Sequence, residues 1–317
     1  MRTVFYNQVV ASVAMLLATG IATDPIRQSQ LIDTKAPQVK KDDVIETSIG
    51  PIVLGPVIGS GTFADVFIGS HEGVSDNRFA VKVAQRHEFN QKHRLGSAGP
   101  DFGTLTHEIN VLRDLQDIES KVPRIYAWEA FKEPRFIVME LLGKSLGDAL
   151  QAGEVSVPEA MIKVIDCFES VHDRGYVMND VHENNFVIDS NGDMVMIDFA
   201  LASRYREYEE FDAGFYSFGG IDETSIREDA NLVLSPRDDL EKLIYLLVAN
   251  LNGFSNLPWN AGKDMSEKKL IKKQLTPEEL CVGKAQWLLP AAKHILSLGF
   301  YDRPDYDLIR SCFKQLV

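Results

Sequence analysis

The chain has 317 residues, 45% apolar and 25% charged, which suits one large soluble domain with a real core. Its formal net charge is −13, from 33 basic and 46 acidic residues, so it gains nothing from counterion release on a phosphate backbone and no nucleic-acid partner is expected. Cys167, Cys281 and Cys312 are too few and too scattered for a disulfide framework or a metal cluster, and read as small buried hydrophobes.

Arg2 precedes an apolar run over residues 9–18, followed by the small residues Gly20, Ala22 and Thr23. This pattern reads as a secretory signal peptide over residues 1–22, cleaved near Ala22. Its apolar core is shorter than the roughly 20 residues of a membrane span, and no stable span is expected after cleavage. An uncleaved anchor and a mitochondrial presequence remain the other readings. The expected location is outside the cell or along the secretory pathway, with delivery into host cells as one destination. Residues 23–48 are polar, mixed in charge and broken by Pro25 and Pro37, and read as a flexible linker.

From Ile52 to Ala84 apolar runs alternate with glycine and polar turns, the pattern of strands. A helical period follows over 105–112, then a buried strand over Phe136–Met139. After Gly143 the chain reads as helical at 145–150, 158–174 and 238–252, with further pieces toward the end. A small β-rich half followed by a larger α-rich half predicts an α+β, two-lobed domain over 49–317, with an N-lobe over 49–140 and a C-lobe over 144–317. A cleft between lobes is the natural ligand site.

Gly59-Ser60-Gly61-Thr62-Phe63-Ala64-Asp65-Val66 lies between two strands. Glycines there let backbone amides approach phosphates, although an ordinary hairpin turn is an equal reading. Lys82 sits near the close of an apolar strand and needs an anionic partner, which Glu108 on the next helix can supply. Asp180-Val181-His182-Glu183-Asn184-Asn185 carries a carboxylate and an amide five residues apart. An Asn191-Gly192 hairpin follows, and then Asp198-Phe199-Ala200. These supply, in order, a carboxylate to orient and deprotonate a hydroxyl (Asp180) and two hard oxygen ligands for a phosphate-bound metal (Asn185, Asp198). Asp101-Phe102-Gly103 spells a similar metal motif, but it follows no strand and reads as loop.

With these residues in order, residues ~50–317 resemble a eukaryotic protein kinase, most closely the casein kinase I group. Met139-Glu140-Leu141-Leu142-Gly143 is similar to that group's interlobe hinge, and Ser235-Pro236-Arg237-Asp238-Asp239-Leu240-Glu241 to its signature on a large C-lobe helix. The resemblance implies an ATP-dependent, Ser/Thr-type protein kinase using Mg2+ or Mn2+, acting on a protein substrate as a monomer. It implies a nucleotide site of Gly59, Ser60, Gly61, Val66, Ala80 and Lys82, with Met139 as gatekeeper and Leu142 offering backbone bonds to adenine. Asp239 would brace the catalytic loop from below.

The chain departs from the family at several points. Met178-Asn179-Asp180 replaces His-Arg-Asp, so no loop cation awaits an activation-segment phosphate. His182 stands where the Ser/Thr class has lysine, and either assists when protonated or merely bonds locally. Ala64 and Ala200 replace glycines, the latter where unusual backbone angles are expected. Residues 201–234 are unlike the group's activation segment. Lys263, Lys268, Lys269, Lys272 and Lys273 form a basic run that reads first as a solvated helix face and second as a site for an acidic or phosphorylated substrate segment. A pseudokinase that binds nucleotide as a scaffold or regulator is the alternative, and a small-molecule kinase a weaker one.

Overall fold

The structure, a computed structural model, describes residues 39–61, 64–74, 78–84, 104–118, 120–212 and 220–316. The expected signal peptide, the first part of the expected linker and Asp101-Phe102-Gly103 lie outside the described residues.

Among the described residues, the N-lobe is a six-stranded antiparallel sheet with one helix against it. In chain order its elements are β1 (Val44–Ile45), β2 (Ile52–Ser60), β3 (Ala64–His71), β4 (Arg78–Ala84), α1 (Leu105–Asp114), β5 (Ile125–Glu129) and β6 (Phe136–Glu140). Strand order is β1-β2-β3-β4-β6-β5. Residues alternate between sheet faces with period two. On β4, Phe79, Val81 and Val83 point into one apolar cluster with Ile52, Leu54 and Phe67. Ala80 and Ala84 point the other way, into the cluster that holds Ile109 and Leu112 of α1. Lys82 shares this second face by the same alternation, which aims its ammonium at α1 and the cleft.

The linker was expected to run to residue 48, but the folded domain begins earlier. Ile45 pairs with Ile52, is buried in the N-lobe cluster, and lies just after a turn in which the Lys40 amide donates to Asp43 Oδ2 at 2.9 Å. The polar composition that suggested a linker belongs to that turn, and one buried isoleucine anchors the strand behind it.

The C-lobe is helical. It comprises α2 (Leu146–Gln151), α3 (Val157–Asp173), β7 (Tyr176–Val177), β8 (Phe186–Ile188), β9 (Met194–Met196), β10 (Ser203–Arg204), α4 (Ile226–Asp229), α5 (Pro236–Asn252), α6 (Met265–Gln274), α7 (Pro277–Leu280), α8 (Leu289–Ser297) and α9 (Tyr306–Lys314). β8 and β9 form the expected hairpin, and β10 pairs with β7. α5 starts at a capping box, in which Ser235 and Asp238 satisfy each other's backbone amides, with Pro236 in the first turn. Leu240, Leu243, Ile244, Leu247 and Val248 bury it in the lobe's centre. The three cysteines are buried and unpaired, and burial pushes the Cys167 thiol up to about 12. No helix among the described residues is long and apolar enough to cross a membrane.

One close approach fixes the joint between the lobes. The Gly143 amide donates to the Ile188 carbonyl at 2.8 Å, and a Cβ at residue 143 would sit 2.7 Å from that oxygen. Only glycine fits there.

Candidate active site

The glycine-rich stretch turns from β2 into β3. The Gly61 amide donates to the Ala64 carbonyl at 2.9 Å, and the Ser60 hydroxyl donates to the Asp65 carboxylate across the turn. Thr62 and Phe63, at its tip, lie outside the described residues. Behind it, Val66 is opposite Lys82 and Ala80 opposite Met139. Val66, Ala80, Met139 and Leu141 belong to the same apolar cluster as Ile188 of the C-lobe. These side chains form an apolar surface where the lobes meet, and Leu142 lies just beyond the end of β6. Ile188 and Leu141 were not singled out from sequence, although Ile188 lies on the strand that leaves Asn185.

Lys82 joins the lobes. Its ammonium donates to Glu108 Oε2 at 2.6 Å and to Asp198 Oδ1 at 3.0 Å. Burial opposes its charge, but the two carboxylates outweigh burial and raise its pKa. Burial pushes the Glu108 carboxyl up to about 7 against the pull of Lys82. The 2.6 Å contact is that of an ion pair, so the lysine's shift describes the state of the pair. Glu108 reaches this position because α1, capped by Thr104 Oγ1 accepting from the His107 amide at 3.1 Å, buries Leu105, Ile109 and Leu112 on one face.

Asp180 and Asn185 are locked together. Asn185 Nδ2 donates to the Asp180 carbonyl at 3.1 Å and to Asp180 Oδ2 at 2.9 Å. Both amide protons are thereby used, which leaves Asn185 Oδ1 as an oxygen donor. Burial would raise the Asp180 pKa, but His182, Asn185 and Lys242 outweigh it and hold the carboxyl below its ordinary value. It is therefore an acceptor at neutral pH. His182 Nε2 lies 3.6 Å from Asp180 Oδ2, an ion-pair distance, and its Nδ1 accepts from the Asn184 amide at 3.3 Å. Burial works against the imidazolium, but Asp180, Glu183 and Asp198 outweigh it and raise the His182 pKa. The two are alternatives: an imidazolium carries N–H at both ring nitrogens, so Nδ1 accepts from the Asn184 amide only in the neutral ring, and the protonated form that the carboxylates favour gives that bond up.

Asp198 has φ 63°, a left-handed angle that is uncommon outside glycine and clusters at functional sites. The strain expected at Ala200 falls instead on Asp198, since Ala200 is not among the positive-φ residues. One Asp198 oxygen is taken by Lys82, and the half-exposed side chain keeps the other for the cleft. Asp198 and Asn185 therefore fit a divalent cation shared with phosphate oxygens: two hard ligands, with the remaining positions left to substrate and water. Among the described residues no larger cluster of His, Cys, Asp and Glu could hold a metal by itself.

Beneath the loop, Asp239 is fully buried. It accepts from the Met178 amide at 2.7 Å, the Asn179 amide at 3.0 Å and His172 Nε2 at 3.0 Å. Met178, Phe199 and Leu112 are buried in one cluster, so methionine fills its place as an apolar group. Asn179 Nδ2 donates to the Leu201 carbonyl at 2.7 Å and to Ser203 Oγ at 3.0 Å, tying the loop to the next segment without charge.

One lysine of the basic run departs from the expected solvated face, while Lys263 and Lys273 are exposed. Lys272 is fully buried, donates to the Ile221 and Thr224 carbonyls at 2.6 and 2.5 Å, and sits over the rings of Tyr245 and Trp259. α6 packs on the C-lobe through this lysine, because its apolar residues are too few to do so alone.

The chain is 29% identical over 292 residues to a probable casein kinase I homolog of Encephalitozoon cuniculi, an alignment covering 86% of this chain and 90% of the relative. It is 29% identical over 285 residues to casein kinase I homolog 3 of Schizosaccharomyces pombe, covering 83% of this chain and 61% of the relative. A probable serine/threonine-protein kinase of Dictyostelium discoideum is 28% identical over 280 residues, with 82% and 53% covered. Residues 52–219, just over half of the chain, match the protein kinase domain. An interlobe lysine held by two carboxylates, a catalytic-loop aspartate held by an asparagine and this match together place the chain in the protein kinase domain family.

Proposed function

We propose that the chain transfers the terminal phosphate of ATP to serine or threonine hydroxyls of a protein substrate, as a casein kinase I-like enzyme of the secretory route. One observation carries the reading: Lys82 bonds Glu108 and Asp198 at the same time, which joins the two lobes in a closed, charge-paired arrangement. Catalysis of phosphoryl transfer is mostly positioning and electrostatics, and these are the groups that perform it.

Gly59, Ser60, Gly61, Val66, Ala80, Met139 and Leu142 would enclose the nucleotide, with Lys82 beside its phosphates. Asn185 and Asp198 would hold Mg2+ or Mn2+, which when bound neutralises phosphate charge. Asp180, kept ionised by its neighbours, orients the acceptor hydroxyl and takes its proton. Asn185 fixes the rotamer of Asp180 through its two donated bonds, and Asp239 fixes the backbone before it.

Transfer from labelled ATP with Mg2+ or Mn2+, comparing wild type with Asp198→Asn, tests this. Wild type is expected to label serine or threonine, and the variant to bind nucleotide without transfer. Nucleotide binding without transfer in both proteins would make the chain a scaffold instead. Secretion is read separately, by N-terminal sequencing of exported protein, where a start near residue 23 supports the signal peptide and an intact Met1 contradicts it.

A further inference from the structure

α4 ends in two adjacent carboxylates, Glu228 and Asp229, and each meets a buried lysine from a different helix. Lys272, on α6, lies 3.2 Å from Asp229 Oδ2. Lys242, on α5, is only 3% exposed; its ammonium contacts Glu228 Oε2 and donates to the Asn179 carbonyl at 2.8 Å. Glu228 Oε2 and Asp229 Oδ2 are both buried, and the lysine ammonium beside each is the partner that offsets its charge.

The two lysines differ in what they join. Besides Asp229, Lys272 hydrogen-bonds to the Ile221 and Thr224 carbonyls and to the Thr224 hydroxyl, so it ties that segment to α6. Lys242 reaches two separate stretches of chain. One is the residue before Asp180, and the other is the helix that closes the activation segment. Asn179 has φ 65°, a left-handed angle that needs support from its surroundings. α5 supplies that support from one face: Asp239 takes the Asn179 amide and Lys242, three residues on, takes its carbonyl. A buried ammonium is tolerated only when paired and hydrogen-bonded, so Lys242 depends on both acceptors.

We propose that Lys242 is a positioning residue for phosphoryl transfer: it fixes the Asn179–Asp180 peptide and ties it to Glu228, so the catalytic loop and the substrate-side segment keep one register with a neutral asparagine at residue 179. This rests on the kinase reading above and assigns a role to a side chain outside the cleft.

The test combines steady-state kinetics with amide hydrogen exchange on the full chain, for wild type, Lys242→Met, Lys242→Arg and Lys272→Met. Lys242→Met is expected to lower kcat about 10- to 100-fold and to leave KM for ATP within about twofold, the signature of a misplaced but nucleotide-competent site. Exchange should rise both at 179–182 and at 226–229, and Lys242→Arg should restore most of the kcat. Lys272→Met should loosen 221–229 and lower Tm while leaving exchange at 179–182 unchanged. Wild-type kcat and exchange in Lys242→Met overturn the proposal, as does an equal kcat loss in Lys272→Met. If Lys242→Met does not fold, Glu228→Gln keeps the Asn179 bond and removes one charge; increased exchange at both stretches supports the tie, and at 226–229 alone overturns it. A wild-type chain with no phosphotransfer sinks the kinase reading, and the exchange pattern then decides the Lys242 tie by itself.

Discussion

Lys82 and Asp198 meet at 3.0 Å although 116 residues separate them, one on the N-lobe sheet and the other where the β8–β9 hairpin leaves the C-lobe. Glu108 completes the contact from α1. Replacing Lys82 by Met leaves Glu108 buried beside Asp198 with no cation. Breaking a buried pair from one side costs about 3–5 kcal/mol. Lys82→Met should therefore lower Tm as well as abolish transfer. Glu108→Gln, which leaves no orphaned charge at residue 108, should lower Tm less and reduce transfer by roughly 10- to 1,000-fold. Calorimetry beside a transfer assay checks both, and an unchanged Tm in Lys82→Met would contradict the pairing.

Removing metal should separate two parts of the cleft. In the proposed reaction the apolar side chains and Lys82 would serve the nucleotide, whereas Asn185 and Asp198 would serve the cation. With chelator, nucleotide affinity in wild type should fall to that of Asp198→Asn, and added Mg2+ should restore only wild type. Titration calorimetry reads this directly. A Mg2+ response retained in the variant would remove Asp198 from the metal site.

His182 predicts a pH dependence of definite sign. Its folded pKa is raised, so the imidazolium it supplies is fully present below the unfolded value of about 6.5 and is lost as pH rises through the folded one. Asp180 is shifted the other way, remains a carboxylate over the same range, and loses its contribution only as pH falls through its lowered value. Transfer should rise from pH 8 toward pH 6, and His182→Lys should flatten that slope. Identical profiles for the two proteins would leave His182 as a local cap on the Asn184 amide.

Activity should survive phosphatase treatment. Asn179 holds Leu201 and Ser203 through neutral hydrogen bonds, so this contact has no cation awaiting a phosphate. Mass spectrometry confirming dephosphorylation, followed by the transfer assay, checks this; complete loss of activity would refute it.

Gly143→Ala should be costly for its size. The added methyl meets a backbone oxygen, which cannot rotate away as a side chain can. A cost of about 1–3 kcal/mol is expected, with lobes that no longer close in register. Denaturant unfolding measures it, and a neutral substitution would show that the hinge yields easily.

Much of the site was legible in the chain order of its residues. A lysine near a strand's end, a glutamate on the next helix and the Asp180, Asn185 and Asp198 series announce their chemistry by residue type, spacing and flanking periodicity. The β8–β9 hairpin was equally readable, because turn chemistry is local. The end of the linker was misread because a polar turn and a flexible segment share one composition, and only the burial of Ile45 separates them. Lys272 within the basic run was misread because a solvated lysine and a buried one are identical as letters.

What the sequence determined by itself was the two-lobed fold and the set of candidate site residues, since both follow from short-range patterns and the chemistry of single side chains. What only the tertiary structure decided was which charges face one another. The left-handed angle sits on Asp198 rather than Ala200, Lys272 lies inside the C-lobe, and Lys242 reaches the loop that holds Asp180. The physical reason is that a buried charge takes its energy from partners far along the chain, and those partners are set by packing.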